Sequence, residues 1–231
     1  MAEAQEILGW AVAPGDFAGA RGGPKAFVTD MAAHADLPPA LLAPTTQDAI
    51  DSLRFKDEPE RARFLRRRLL TRRCAALYLG IAGEDCVIAH GPAGRPVLVS
   101  PGARLYLSVS ARGGIAALAV ARTRIGVDIE LAEAARDIPW NILRADERET
   151  LEAAPAAERA AAFLRLWCVK EAYVKALGTG LNTRPEDIHV GGAAGALRLS
   201  VRGAPVAALA EVRALTIGGA AVIAACVLLA D

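Results

Sequence analysis

The sequence predicts an α+β chain made of two similar lobes, each a long helix with its own set of short strands. Two helical stretches, 60–80 and 157–177, each close on a glycine, Gly80 and Gly178. Runs rich in β-branched residues and broken by Gly and Pro follow both of them. The 231 residues are enough for two lobes of about a hundred residues each, expected over 1–122 and 123–231. No internal repeat ties the halves together, so their likeness lies in the order of elements alone.

Residues 11–50 are rich in Pro, Gly and Ala with weak periodicity and read as strand fragments and loops over the surface. In "ERARFLRRRLLTRRCAALYLG", Phe64, Leu65, Leu69, Ala76 and Leu77 share one broad helical face, and arginines fill much of the rest. "GRPVLV" and "ARLYLSVSARGGIAALAVAR" read as strands, with turns at Pro101-Gly102 and Gly113-Gly114. "RIGVDIEL" alternates Ile125, Val127 and Ile129 with Gly126, Asp128 and Glu130, the period of a half-buried strand. Helices are expected over 145–151 and 157–177. The apolar end, "LTIGGAAVIAACVLLAD", is short of the ~20 residues of a membrane span and carries Gly218-Gly219, so it reads as a hairpin ending in a buried strand. Alanine-rich patches at 153–162 and 193–210 are compositional.

Charge narrows the function. Lys and Arg number 27 against 26 Asp and Glu, which gives no argument for a nucleic-acid or membrane-surface partner; any anion site has to be local. Phe64 and Tyr78 are better explained as core than as stacking platforms for bases. Cys74, Cys86, Cys168 and Cys226 lack C-x-x-C spacing and the three histidines are scattered, so neither a zinc cluster nor a disulfide framework is expected. The N-terminus has no basic stretch followed by a long apolar run, which argues against a secretory signal and for a cytoplasmic protein.

Two constellations carry chemistry. Asp128 and Glu130, two apart on a strand, point to one side, where they either form a solvated strand end or converge on a hard cation. In "FLRLWCVKEAYVKALGTGL", Glu171 and Lys175 are i,i+4 neighbours on a helix whose stripe includes Trp167, and Lys170 projects about 100° away from Glu171. That pair is either a surface ion pair or part of a site in which Glu171 is a third carboxylate and Lys170 and Lys175 hold an anionic substrate. Acids flanked by lysines suit Mg²⁺ bridging carboxylates to phosphates. An inward arginine of the first long helix, and Arg95 beside Pro96, are candidate phosphate clamps.

"IGVDIE" at 125–130, followed by "WCVKEAYVKALGTGL", resembles the Sfp-type 4'-phosphopantetheinyl transferases, whose pattern is G-V-D-I/V-E, then W-x-x-K-E-A-x-x-K-x-x-G-x-G. The resemblance extends from about residue 60 to the end, with "GRPVL" where the family has G-K-P. It implies a pseudo-dimer of two α+β lobes with the active site in the cleft between them, sufficient as a monomer. It further implies Mg²⁺-dependent transfer of 4'-phosphopantetheine from coenzyme A to a serine of an apo acyl or peptidyl carrier protein, releasing adenosine 3',5'-bisphosphate. Carried over by position, Asp128, Glu130 and Glu171 hold metal, Glu171 doubling as base; Lys170 neutralises the diphosphate and protonates the leaving group; Arg68, Arg95, Ser108, Lys170 and Lys175 bind the coenzyme. Trp167 packs beneath the site. In place of the family's Ser-His-Ser the chain has Ser108-Val109-Ser110, and Val109 offers no side-chain hydrogen bond to the coenzyme's 3'-phosphate. A relative that binds coenzyme A or a carrier without efficient transfer is the alternative.

Overall fold

A computed structural model describes residues 9–11, 23–34, 46–91, 95–99, 105–134, 137–180, 183–192 and 196–230. Its strands are β1 (Gly9–Ala11), β2 (Lys25–Asp30), β3 (Ile88–His90), β4 (Pro96–Leu98), β5 (Tyr106–Arg112), β6 (Ile115–Ala121) and β7 (Ile125–Leu131), then β8 (Ile188–Gly191), β9 (Arg198–Val201), β10 (Ala204–Val206), β11 (Ala208–Ile217) and β12 (Ala220–Leu229). The helices are α1 (Thr46–Ser52), α2 (Glu58–Leu79), α3 (Ala145–Ala153) and α4 (Ala156–Leu177). The two long helices end where the sequence puts them, Gly80 and Gly178 taking φ of 71° and 73°, a conformation that costs a residue with Cβ.

The order of layers is helix, sheet, sheet, helix. A six-stranded sheet, β1-β2-β6-β5-β4-β3, carries α2 on one face, with Leu70 of the helix in one core with Phe27, Leu107 and Leu118 of the sheet. A three-stranded sheet, β11-β12-β7, carries α4 on one face over Cys168, Ala172, Ile223 and Val227, with the small sheet β10-β9-β8 sharing that core. The bare faces of the two larger sheets meet through small and branched residues, Ala26, Ala117 and Ala119 among them from one, and Ile125, Val127 and Ile129 from the other. The expected α+β arrangement of two helix-and-sheet halves is the one present. The Pro101-Gly102 turn lies outside the described residues.

Two expectations differ. Lys25–Asp30 is a buried strand, not surface chain: Phe27 faces α2 while Ala26 and Val28 face the second sheet, so both faces are apolar and no alternation marks it. β7 is buried on both faces as well. Its polar face lies beneath α4, so close that a Cβ on Gly126 would sit 1.8 Å from the Ala172 carbonyl oxygen.

The C-terminal hairpin expected from Gly218-Gly219 is present as β11 and β12, with both glycines at positive φ in the turn. Among the described residues no helix is long and apolar enough to cross a membrane. All four cysteines are buried free thiols.

Candidate active site

The acidic strand and the charged helix meet. β7 is an edge of its sheet, so some of its backbone N–H groups lack ladder partners; the Ser108 hydroxyl on β5 accepts the Val127 N–H at 3.0 Å. One step along, Ser110 Oγ donates to Asp128 Oδ1 at 2.8 Å, and Lys175 Nζ from α4 donates to the same oxygen at 2.6 Å. Asp128 is 1% exposed, and its Oδ2 is buried without a hydrogen bond. Glu130 is gripped bidentately by Arg112, with both nitrogen–oxygen distances 2.7 Å. Glu171 sits beside them: burial, and then the charge of Asp128, push its carboxyl above the usual carboxylate range, against the pull of Lys175 and Arg112.

A cavity of about 370 Å³ opens over this cluster, lined by Arg95, Ser108, Val109, Trp167, Glu171 and Lys175, among others. Gly178, Gly180, Thr183 and Pro185, which follow α4, line it as well. Arg95 lies 5.1 Å over the Tyr106 ring, and its Nη2 is buried without a hydrogen bond. Burial lowers the proton affinity of its guanidinium. Trp167 stacks on Phe163 with ring centroids 6.2 Å apart.

A second cavity of about 310 Å³ adjoins the first, sharing Pro96, Val109 and Lys175 with it. Arg54, Arg67, Arg68 and Arg112 also line it. Arg68 is bolted in place, Nε to Asp48 Oδ1 at 2.7 Å and Nη2 to the Ile88 carbonyl. Arg54 and Arg67 are not: both guanidiniums lie over the Phe64 ring, at 4.9 and 5.8 Å, and neither makes an ion pair among the described residues. Burial and repulsion from Arg54 and Arg68 lower the proton affinity of Arg67.

Of the residues singled out from the sequence, Arg95, Ser108, Glu171 and Lys175 line the first cavity; Asp128 lies against it through Lys175, and Glu130 lies against the second cavity through Arg112. Arg68 lines the second cavity but is spent on Asp48. Lys170 lines neither; it is 2% exposed and bonded to Glu147 Oε2 at 2.6 Å and to the Pro185 carbonyl at 2.9 Å. Sequence reasoning misses Ser110, Arg112, Glu147 and Arg54, and it names an inward arginine of the first long helix without singling out Arg67. Ser110 is within its reach, since it shares a strand face with Ser108; the others depend on contacts between distant segments.

Among the described residues no group of three His, Cys, Asp or Glu side chains is gathered as a metal site. The donors nonetheless suit a hard cation: two carboxylates on one strand face, a third raised in proton affinity by burial and then by the charge of Asp128, and an orphaned buried oxygen on Asp128.

The acidic strand and the charged helix fall within residues 124–226, which match the model of the 4'-phosphopantetheinyl transferase superfamily. One particular relative is the 4'-phosphopantetheinyl transferase HetI of Nostoc sp., 31% identical over 143 residues, a match that spans 59% of this chain and 60% of that protein. Among solved structures, the holo-[acyl-carrier-protein] synthase of Thermotoga maritima aligns with a TM-score of 0.37 at 22% identity, covering 47% of this chain and 65% of its own. A holo-(acyl-carrier-protein) synthase from Bacillus anthracis in complex with CoA (3',5'-ADP) aligns with a TM-score of 0.34 at 22% identity, covering 47% of this chain and 97% of its own.

Proposed function

We propose that the chain transfers the 4'-phosphopantetheine arm of coenzyme A to a serine of an apo acyl or peptidyl carrier protein, between lobes spanning 1–122 and 123–231. The observation that carries this reading is the meeting, in one cavity, of Glu171, Lys175 and Arg95, whose buried Nη2 lacks a hydrogen bond. The match of residues 124–226 to the superfamily model supports it. The serine hydroxyl attacks the phosphorus that bears pantetheine. The bond from that phosphorus to the bridging oxygen breaks, and adenosine 3',5'-bisphosphate leaves with the bonding pair. Glu171 takes the serine proton, a task its raised proton affinity suits. Lys175 and Arg95 neutralise charge that builds on the departing phosphate.

Asp128, Glu130 and Glu171 would hold Mg²⁺, which when bound would neutralise the diphosphate and orient it. The coenzyme spans both cavities in this reading, with its diphosphate in the first and its 3'-phosphate on Arg54 and Arg67 in the second. Two guanidiniums over one ring, without an acid, do there what a histidine in place of Val109 would do. The reverse observation favours a second reading, a binder with little transfer: Val109 lies where the cavities join and offers no donor.

The two separate in one experiment. The purified protein is incubated with coenzyme A, Mg²⁺ and a panel of apo carrier proteins, and carrier mass is followed. A gain of one phosphopantetheine, lost on chelation and restored by Mg²⁺, is expected; coenzyme binding without any gain would favour the binder.

A further inference from the structure

Lys170 and Glu171 are neighbours in sequence but serve different sides of α4. Glu171 faces the first cavity, and Lys170, about 100° around the helix, faces α3. Its ammonium donates to Glu147 Oε2 at 2.6 Å and to the Pro185 carbonyl at 2.9 Å. The same Glu147 oxygen accepts the Arg144 backbone N–H at 3.1 Å, at the start of α3. Pro185 belongs to the stretch after α4 that forms one wall of the cavity, with Gly178, Gly180 and Thr183. Its carbonyl also accepts the N–H of Ile188, the first residue of β8, so this wall is fixed to a strand on one side and to Lys170 on the other. One buried cation thus joins three pieces: the helix that carries Glu171 and Lys175, the first turn of α3, and the cavity wall.

We infer that Lys170 is a positioning residue, which holds the Pro185 wall at the distance from Glu171 and Lys175 that the phosphopantetheine donor requires, and does so without touching the donor. The inference rests on the transferase reading for its substrate, and it departs from the direct role at the diphosphate that the family resemblance implies for Lys170. A buried ammonium satisfied by a carboxylate and a carbonyl has no reason to swing into the cavity, since leaving would strand Glu147, whose Oε1 already lacks a hydrogen bond. Lys170 and Glu147 must then act as one unit. A lysine working on the ligand would make Glu147 incidental.

The full chain is tested as Lys170→Met, Lys170→Arg, Glu147→Gln and the double variant Lys170→Met with Glu147→Gln. Two readouts are taken: hydrogen exchange at the amides of Thr183, Arg184, Glu186 and Asp187, and steady-state transfer from coenzyme A to an apo carrier protein. Lys170→Met and Glu147→Gln are each expected to speed exchange in that segment about tenfold, leaving α4 protected, and to raise KM for coenzyme A by a similar factor with a smaller fall in kcat. The double variant should be no worse than the worse single one, and Lys170→Arg should recover part of the loss. Glu147→Gln keeps the side chain's shape, so it decides the matter even where Lys170→Met fails to fold. Unchanged exchange at 183–187 in an otherwise impaired Lys170→Met, or a Glu147→Gln protein that behaves as wild type, overturns the inference. A wild-type chain that transfers to no carrier brings down the transferase reading, and exchange in the same variants then still decides whether Lys170 holds the wall.

Discussion

α2 and α4 invite comparison, because each is a 22-residue helix laid on its own sheet and closed by a left-handed glycine. By count of charges α2 is the more conspicuous. Yet most of its arginines are tied up locally: Arg63 pairs with Glu60 one turn away, Arg61 reaches the Phe55 carbonyl, and Arg68 and Arg72 both approach Asp48. α4 carries fewer charges, and they do separate jobs, Glu171 and Lys175 at the cavity and Lys170 at the wall. A cation near a carboxylate is a fastener; one held near a cavity with its partner oxygen also facing other groups is a site. The number of charges does not distinguish the two, and their partners do.

That difference predicts opposite failures. Glu171→Gln removes the proposed base while keeping size and shape, so transfer should fall by about a hundredfold or more with the unfolding temperature nearly unchanged. Turnover near wild type, measured by carrier mass against time, would falsify the base role. Asp48→Ala acts on the other helix. It leaves Arg68, 7% exposed in its side chain, without its carboxylate, and loss of one partner of a buried pair costs about 3–5 kcal/mol. Denaturant unfolding should show this loss, and the folded fraction should retain its transfer rate. A large drop in rate per folded molecule would mean that α2 contributes to chemistry more directly than its ion pairs indicate. Gly126→Ala probes the seam between β7 and α4, where the new methyl would meet the backbone of Ala172 and Ala176. Overpacking of this kind costs about 1–3 kcal/mol, and because the Ala172 carbonyl cannot rotate away, the upper end is expected in thermal unfolding.

Much of this is legible in the sequence, for reasons tied to particular residues. Helix ends are marked by Gly80 and Gly178, the hairpins by Gly113-Gly114 and Gly218-Gly219, and the site's core by two motifs of fixed spacing. What the sequence hides is burial. β7 alternates as a half-buried strand does, yet Asp128 and Glu130 face a helix and not water, because a period of two reports which residues share a face and says nothing of what covers it. β2 has the opposite defect: with both faces apolar it shows no period at all. Partners of the charges are hidden more deeply. Arg112 reaches Glu130 across 18 residues of sequence and Glu147 reaches Lys170 across 23, separations at which no local pattern operates.

Arg67 is an exception on α2, and its loss should have the smallest effect of the four. Alone with Arg54 over the Phe64 ring, it is repelled by its neighbours, with only Glu60 pulling the other way. A bound phosphate would relieve that repulsion, so Arg67 should behave as the α4 charges do, with its partner brought by the ligand. Arg67→Ala is expected to weaken coenzyme A binding about tenfold, roughly 1.4 kcal/mol, and to leave binding of 3'-dephospho-coenzyme A almost unchanged. Titration calorimetry with both donors reads the difference directly. Equal losses on the two would place Arg67 near the diphosphate or the adenine, and no loss on either would return it to the fasteners. A selective loss means that the missing histidine at Val109 is made good from α2, by an arginine that the described residues leave without an ion pair, beside a cavity that adjoins the proposed active site.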